Sequence, residues 1–184
     1  MGANTPGGYP YPLPTEPVRD GALRIRELAE ATDRLSNTIM EASNTGTYSV
    51  PTGVWRFMTT VAPPNNERDP LAYITHDGSS ILLQKAGWWR VWIVVKWLGG
   101  TAGTTHSRRW IGWSTSNSTP PGQWAQSGIS TTGSTQVCQT FADISNVNAV
   151  PARVAAYAFQ DSEGAINVNW VRTVAQWVSP PTAP

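Results

Sequence analysis

The sequence predicts a mainly β protein, in which an extended N-terminal arm and a short coiled-coil helix lead into a jelly-roll type of β-sandwich. Three observations carry this expectation. Charged residues make up only 14% of the 184-residue chain, against roughly 25% in an average soluble domain. The chain holds 10 Trp, 16 Gly and 15 Pro, a composition of turns and large apolar side chains. From about residue 44 onward, some eight to ten apolar runs alternate with turn residues at roughly ten-residue spacing, the pattern of sandwiches and jelly rolls.

The arm, residues 1–17, includes Tyr9-Pro10-Tyr11-Pro12-Leu13-Pro14. Proline at alternate positions removes backbone donors and favours an extended, polyproline-like chain. The interleaved Tyr9, Tyr11 and Leu13 then form an apolar ribbon. Such aromatic density is uncommon in disordered tails, so Tyr9, Pro10, Tyr11, Pro12 and Leu13 are expected to dock on a partner.

Residues 18–43 are expected to form a helical stalk. Pro17 breaks what precedes it, Asp20 suits an N-cap, and no proline follows until Pro51. Ile25, Thr32 and Ile39 fall on one heptad position and Leu28 and Leu35 on the other, among charged neighbours. This is a two-to-three-heptad seam, with Thr32 its weak point. A helix of this length is marginal alone in water, so self-association is the preferred reading over packing on its own domain.

Residues 44–184 are expected to form the head. Tyr48–Val50, Val54–Met58, Leu71–Thr75 and Ile81–Leu83 read as strands, with Pro51-Thr52-Gly53 and His76-Asp77-Gly78 as turns. Trp88 to Trp97 is the longest strand. One face carries Trp89, Val91, Ile93, Val95 and Trp97; the other carries Trp88, Arg90, Trp92, Val94 and Lys96. A monomer rarely leaves a Trp-rich face to water, so Trp88, Trp92 and Val94 are expected to meet another subunit. Arg108–Trp113, Thr135–Phe141, Arg153–Gln160 and Ile166–Val178 follow as strands. The polar stretch Ser114–Ser134 reads as a loop, and Asp161 to Gly164 as a hairpin turn.

The chemistry-bearing residues are sparse. Cys138 is the single cysteine, which excludes a disulfide framework; its apolar surroundings predict a small buried side chain. His76 and His106, far apart in polar loops, make neither a catalytic base nor a zinc site. Asp161 and Glu163 have the chemistry of a glycosidase pair but share one tight turn, where solvation explains them. With no glycine-rich phosphate loop, no cofactor is expected. A net charge of +1 gives no reason to expect nucleic acid or an anionic membrane as partner. No apolar run has the ~18 residues of a membrane span, nor is there a secretory signal. Trp113 and Trp124 flank Ser/Thr/Gly/Pro-rich sequence and are the candidate receptor contacts, since exposed indoles stack on sugar rings.

Two stretches resemble known families. Gly8-Tyr9-Pro10-Tyr11-Pro12-Leu13-Pro14-Thr15-Glu16-Pro17-Val18-Arg19-Asp20-Gly21-Ala22, running into Ile25-Arg26-Glu27-Leu28-Ala29, resembles the N-terminal region of virion proteins from phages of actinobacteria. The rest of the chain is similar to the trimeric jelly roll of the tumour necrosis factor and complement globular-head superfamily. Gln84 to Val91, Arg108-Arg109-Trp110-Ile111 and Val154 to Gln160 carry that likeness; Trp88-Trp89 stand where members often have one Tyr. The resemblance implies a homotrimer with the stalk as a three-stranded bundle, made in the host cytoplasm and built into the virion. It implies a non-enzymatic minor tail or fibre-type subunit that docks through its arm on other virion proteins and presents its head to host-surface glycan. A capsid decoration or head fibre is the alternative, and a cell-wall glycan depolymerase a weaker third.

Overall fold

The structure, a computed structural model, describes residues 3–4, 10–11, 18–36, 38–61, 72–98, 108–118, 124–127, 137–161 and 164–181. Two short strands come first, β1 (Ala3–Asn4) and β2 (Pro10–Tyr11), paired antiparallel. The arm is therefore not a single extended ribbon: Tyr11 returns to lie opposite Ala3. The intervening sequence holds Pro6, Gly7 and Gly8, residue types that permit a reversal. Tyr9, Pro12 and Leu13 lie outside the described residues.

Helix α1 spans Val18–Ser36. It starts before Asp20, so Asp20 is not the N-cap expected from the sequence: the helix already runs from Val18, directly after Pro17. Ion pairs Arg24–Glu27 (2.6 Å) and Arg26–Glu30 (3.0 Å) run along its surface. The helix stops short of the expected 43. Ile39 belongs to strand β3 (Ile39–Asn44), so it cannot be the last seam residue. The reason is tertiary: Thr38 is buried and its carbonyl accepts the Trp177 amide at 3.1 Å. Met40 and Ala42 then turn into the core, so pairing outweighs the helix propensity of Met40-Glu41-Ala42.

The head continues through β4 (Tyr48–Val50), β5 (Arg56–Met58), β6 (Ile74–His76), β7 (Ile81–Leu83), β8 (Gly87–Trp97) and β9 (Arg109–Ser114). It is completed by β10 (Trp124–Ser127), β11 (Val137–Val147), β12 (Ala152–Gln160) and β13 (Ile166–Ser179). One sheet has the order β11-β8-β13-β3, with β4 following β3 along the same edge of β13. The other has the order β10-β9-β12-β7-β6, with β5 beside β12. All pairings of these strands are antiparallel.

Three expectations are corrected here. The stretch read as one polar loop contains β10, which pairs with β9 through Trp124↔Gly112 to Ser127↔Arg109. Residues between β12 and β13 do not make a hairpin, because the two strands lie in different sheets. Each has an apolar face, and packing those faces across the sandwich buries more apolar surface than pairing the strands edge to edge. Ala72, expected in a strand, has φ of 52° and lies ahead of β6.

The core lies between the sheets. Trp89, Val91, Ile93, Val95 and Trp97, the inward face of β8, are all fully buried. They share the core with the small inward residues Val154, Ala156 and Ala158 of β12, a pairing of large with small that fills volume without strain. Trp89 and Trp177 meet edge to face, centroids 5.3 Å apart. In β13 the register shifts between Val168 and Trp170, a bulge that returns Val171, Thr173 and Ala175 to the core side.

At one end of the sandwich the core turns polar. Gln139 is buried; its Oε1 accepts the Trp97 Nε1–H at 2.9 Å and its Nε2 donates to the Arg109 carbonyl at 3.2 Å. Strand alternation then sends Cys138 to the surface, opposite Lys96. The expectation of a buried cysteine fails because this hydrogen-bonded glutamine takes the inward position. The Arg109 guanidinium is itself buried, 5.5 Å from the Trp97 ring, and burial lowers its pKa.

Candidate functional site

Two surfaces gather the residues singled out in the sequence. The first is the outward face of the β8 sheet. Register places Ala142, Trp92, Val174 and Glu41 in one row across β11, β8, β13 and β3, and Thr140, Val94, Arg172 and Ser43 in the next. Trp88, Trp92 and Val94 are half-buried, and Ile144 on the same face is exposed. Arg90 lies over the Trp92 ring at 5.7 Å, and Arg172 pairs with Glu41 at 2.5 Å. The expected contact residues thus share one apolar patch, flanked by these charges.

The helix carries further exposed apolar side chains. Ile25 is 69% and Leu28 40% exposed. Thr32, also exposed, donates its hydroxyl to the Leu28 carbonyl at 2.8 Å, satisfying within the helix the polar group that made it the seam's weak point. Leu35 lies in the last turn of α1, where only the backbone is described.

The second surface is a cleft of about 640 Å³ at the edge of the sandwich, between β9 and β11. β10 pairs with β9 only as far as Gly112, whereas β9 continues to Ser114 and β11 to Val147. Trp113, expected as an exposed receptor contact, is instead buried against the core and forms one wall, because packing between the sheets takes up its indole; Trp88 reaches the cleft from the start of β8. Asp143 stands between the sheets. Its Oδ2 accepts the Trp113 Nε1–H at 3.1 Å and a short hydrogen bond from the Ser145 hydroxyl. Asn146, Asn148 and Thr115 complete the polar lining.

The structure therefore brings together Trp88 and Trp113, which the sequence had assigned to different roles. Trp124 is described by its backbone alone, opposite Gly112. Asp143, Ser145, Asn146 and Asn148 were missed, because the strand was read as ending at Phe141. The local pattern carries little signal for them: Ile144 and Val147 stand three positions apart with Ser145-Asn146 between, so the period of two that marks a strand is broken there.

Of the rejected catalytic residues, Asp161 accepts the Arg108 amide at 2.7 Å and serves as a clasp at the start of β9. Glu163 and His106 lie outside the described residues. His76 accepts the Gly78 amide through Nδ1 at 3.0 Å, and burial lowers its pKa. Among the described residues no three His, Cys, Asp or Glu side chains converge on a metal position, and no helix is long and apolar enough to cross a membrane.

Neither a family model nor a curated protein matches the sequence. Among solved structures, the Eiger TNF of S. frugiperda superposes with a TM-score of 0.52 at 11% identity, covering 80% of this chain and 97% of that one. The fold is a TNF-like jelly roll. At that identity the likeness concerns the fold alone. A Clostridium thermocellum xylanase, a CBM22-1–GH10 structure with xylohexaose, aligns at a TM-score of 0.27 and 13% identity; the alignment covers 83% of this chain and 28% of the xylanase chain. That likeness is too weak to bear on the jelly roll's function.

Proposed function

We propose that this TNF-like protein is a non-enzymatic structural subunit of a phage particle, a homotrimer of the minor tail or fibre type. Its N-terminal arm docks on other virion proteins, and its head projects for attachment to the host surface. The observation that carries the assembly is the apolar patch around Trp92, Val94 and Ile144 on the outward sheet face, together with the exposed Ile25 and Leu28 of α1. Clustered apolar side chains left at a surface are uncommon on monomers and mark subunit contacts. The virion placement is supported by the resemblance of residues 8–29 to phage virion proteins.

Two measurements test this. Sedimentation equilibrium of the full chain is expected to give three times the chain mass. Leu28→Asp, benign where the side chain meets water but costly in a seam, is expected to weaken the trimer; a monomeric wild type refutes the assembly. Immunogold labelling of intact particles with an antibody to the head is expected at the tail. Label over the capsid identifies a decoration protein instead, and unlabelled particles refute the virion role.

A further inference from the structure

The C-terminal half of β11 inverts the usual rule for a strand in a sandwich. Asp143 and Ser145 are half-buried on the side facing the other sheet, while Ile144 is 52% exposed on the outer side. Turning a carboxylate inward and an isoleucine outward costs stability; the Trp113 Nε1–H gives the carboxylate one partner, which leaves its other oxygen unused by the core. What it creates is the cleft. The Asp143 carboxylate is held at Oδ2 by Trp113 and Ser145, and Oδ1 accepts no hydrogen bond from the described residues. The side chains of Asn146, Asn148 and Thr115 are likewise without hydrogen-bond partners among the described residues. Asp143 from the inner side of β11, Asn146 and the half-buried Trp88 from its outer side, and the exposed Asn148 and Thr115 thus line one opening at the end of the strand.

From this arrangement we infer that the cleft between β9 and β11 binds a neutral saccharide. Its volume lies within the roughly 300–1,000 Å³ of small-molecule sites. A pyranose offers an apolar C–H face to stack on an indole and vicinal hydroxyls to engage a fixed carboxylate and amides. Among the described residues no Lys, Arg or His lines the cleft and the one charged side chain is Asp143, so phosphates, nucleotides and uronic acids are disfavoured. Several directional polar groups equally disfavour a purely apolar ligand. This deepens the attachment reading and rests on it for the origin of the glycan, while the recognition chemistry rests on the cleft alone.

The test uses the full chain, titrated calorimetrically with glucose, galactose, mannose, N-acetylglucosamine and their short oligomers. At least one is expected to bind saturably. Asn148→Ala and Asp143→Asn are expected to weaken that binding at least about tenfold while melting temperature and solution mass stay unchanged. Trp88→Ala is expected to weaken it too, through lost stacking. Absence of saturable binding to the folded protein overturns the inference. So does equal affinity in Asn148→Ala and Asp143→Asn, or tighter binding of a uronic acid oligomer. Particle labelling and sedimentation are read independently of these titrations, so failure of one reading is not mistaken for failure of the other.

Discussion

Strands β8 and β11 are neighbours of equal length, 11 residues each, paired from Gly87↔Val147 to Trp97↔Val137. Their inward faces could hardly differ more. That of β8 is wholly apolar and fully buried from Trp89 to Trp97; that of β11 carries Gln139, Asp143 and Ser145 among Phe141 and Val147. The difference follows from position. β8 is flanked by β11 and β13, whereas β11 has β8 on one side and, among the described residues, no other strand beside it in this sheet. A central strand sees only protein, so a polar inward group there lacks water as a partner. An edge strand can hold polar groups between the sheets where a cleft admits solvent or ligand. The central strand supplies stability, and its edge neighbour supplies a site.

This contrast can be broken at its strong end first. Trp97→Ala removes a fully buried indole and leaves Gln139 Oε1 without its donor, for an expected loss of roughly 3–5 kcal/mol. Urea denaturation checks it, and a loss below about 1 kcal/mol would contradict the central role of β8. Next comes Gly87, where β8 begins. Its φ is 144°, and a Cβ there would lie 2.3 Å from Trp177 Cη2 and 2.4 Å from the Ser179 carbonyl oxygen. Gly87→Ala is expected to cost roughly 2–4 kcal/mol, seen as a lower denaturation midpoint.

A fully engaged carboxylate sharpens the comparison with Asp143. At Asp77 burial opposes the charge. Against that, the Ser79 hydroxyl and amide, the Ser80 amide and the Arg153 guanidinium all donate to it, holding its pKa well below the usual carboxylate range. A depressed folded-state pKa contributes stability that is complete above the unfolded value of about 3.9 and is lost as pH falls below it. Asp77→Asn is expected to cost about 1–2 kcal/mol at neutral pH, with the difference from wild type shrinking below about pH 4 in pH-dependent melts. The smallest effect is expected at Asp143→Asn, below about 1 kcal/mol, because an amide oxygen still accepts from Trp113. A larger loss would make Asp143 a structural residue and count against the cleft as a site.

Periodicity made β8 legible: its alternation and its inward set match the expected face residue for residue, because a period of two is a local property of the chain. The turns at Gly53 and Gly78, both with positive φ, were equally legible from residue type. The site was only half legible. Trp113 was singled out for its indole, but its partner Asp143 lies 30 residues away, and no local pattern links the two.

By itself the sequence determined the strand-rich head, the helix that precedes it and the apolar face around Trp92, since composition, helix propensity and alternation act within a few residues. The tertiary structure alone decided that Ile39 is strand, that Gln139 rather than Cys138 turns inward, that β12 and β13 lie in opposite sheets, and that Asp143 meets Trp113. Each of these depends on which strand lies beside or across from which. That choice is settled by non-local burial of apolar surface and by hydrogen bonds between segments distant in the chain.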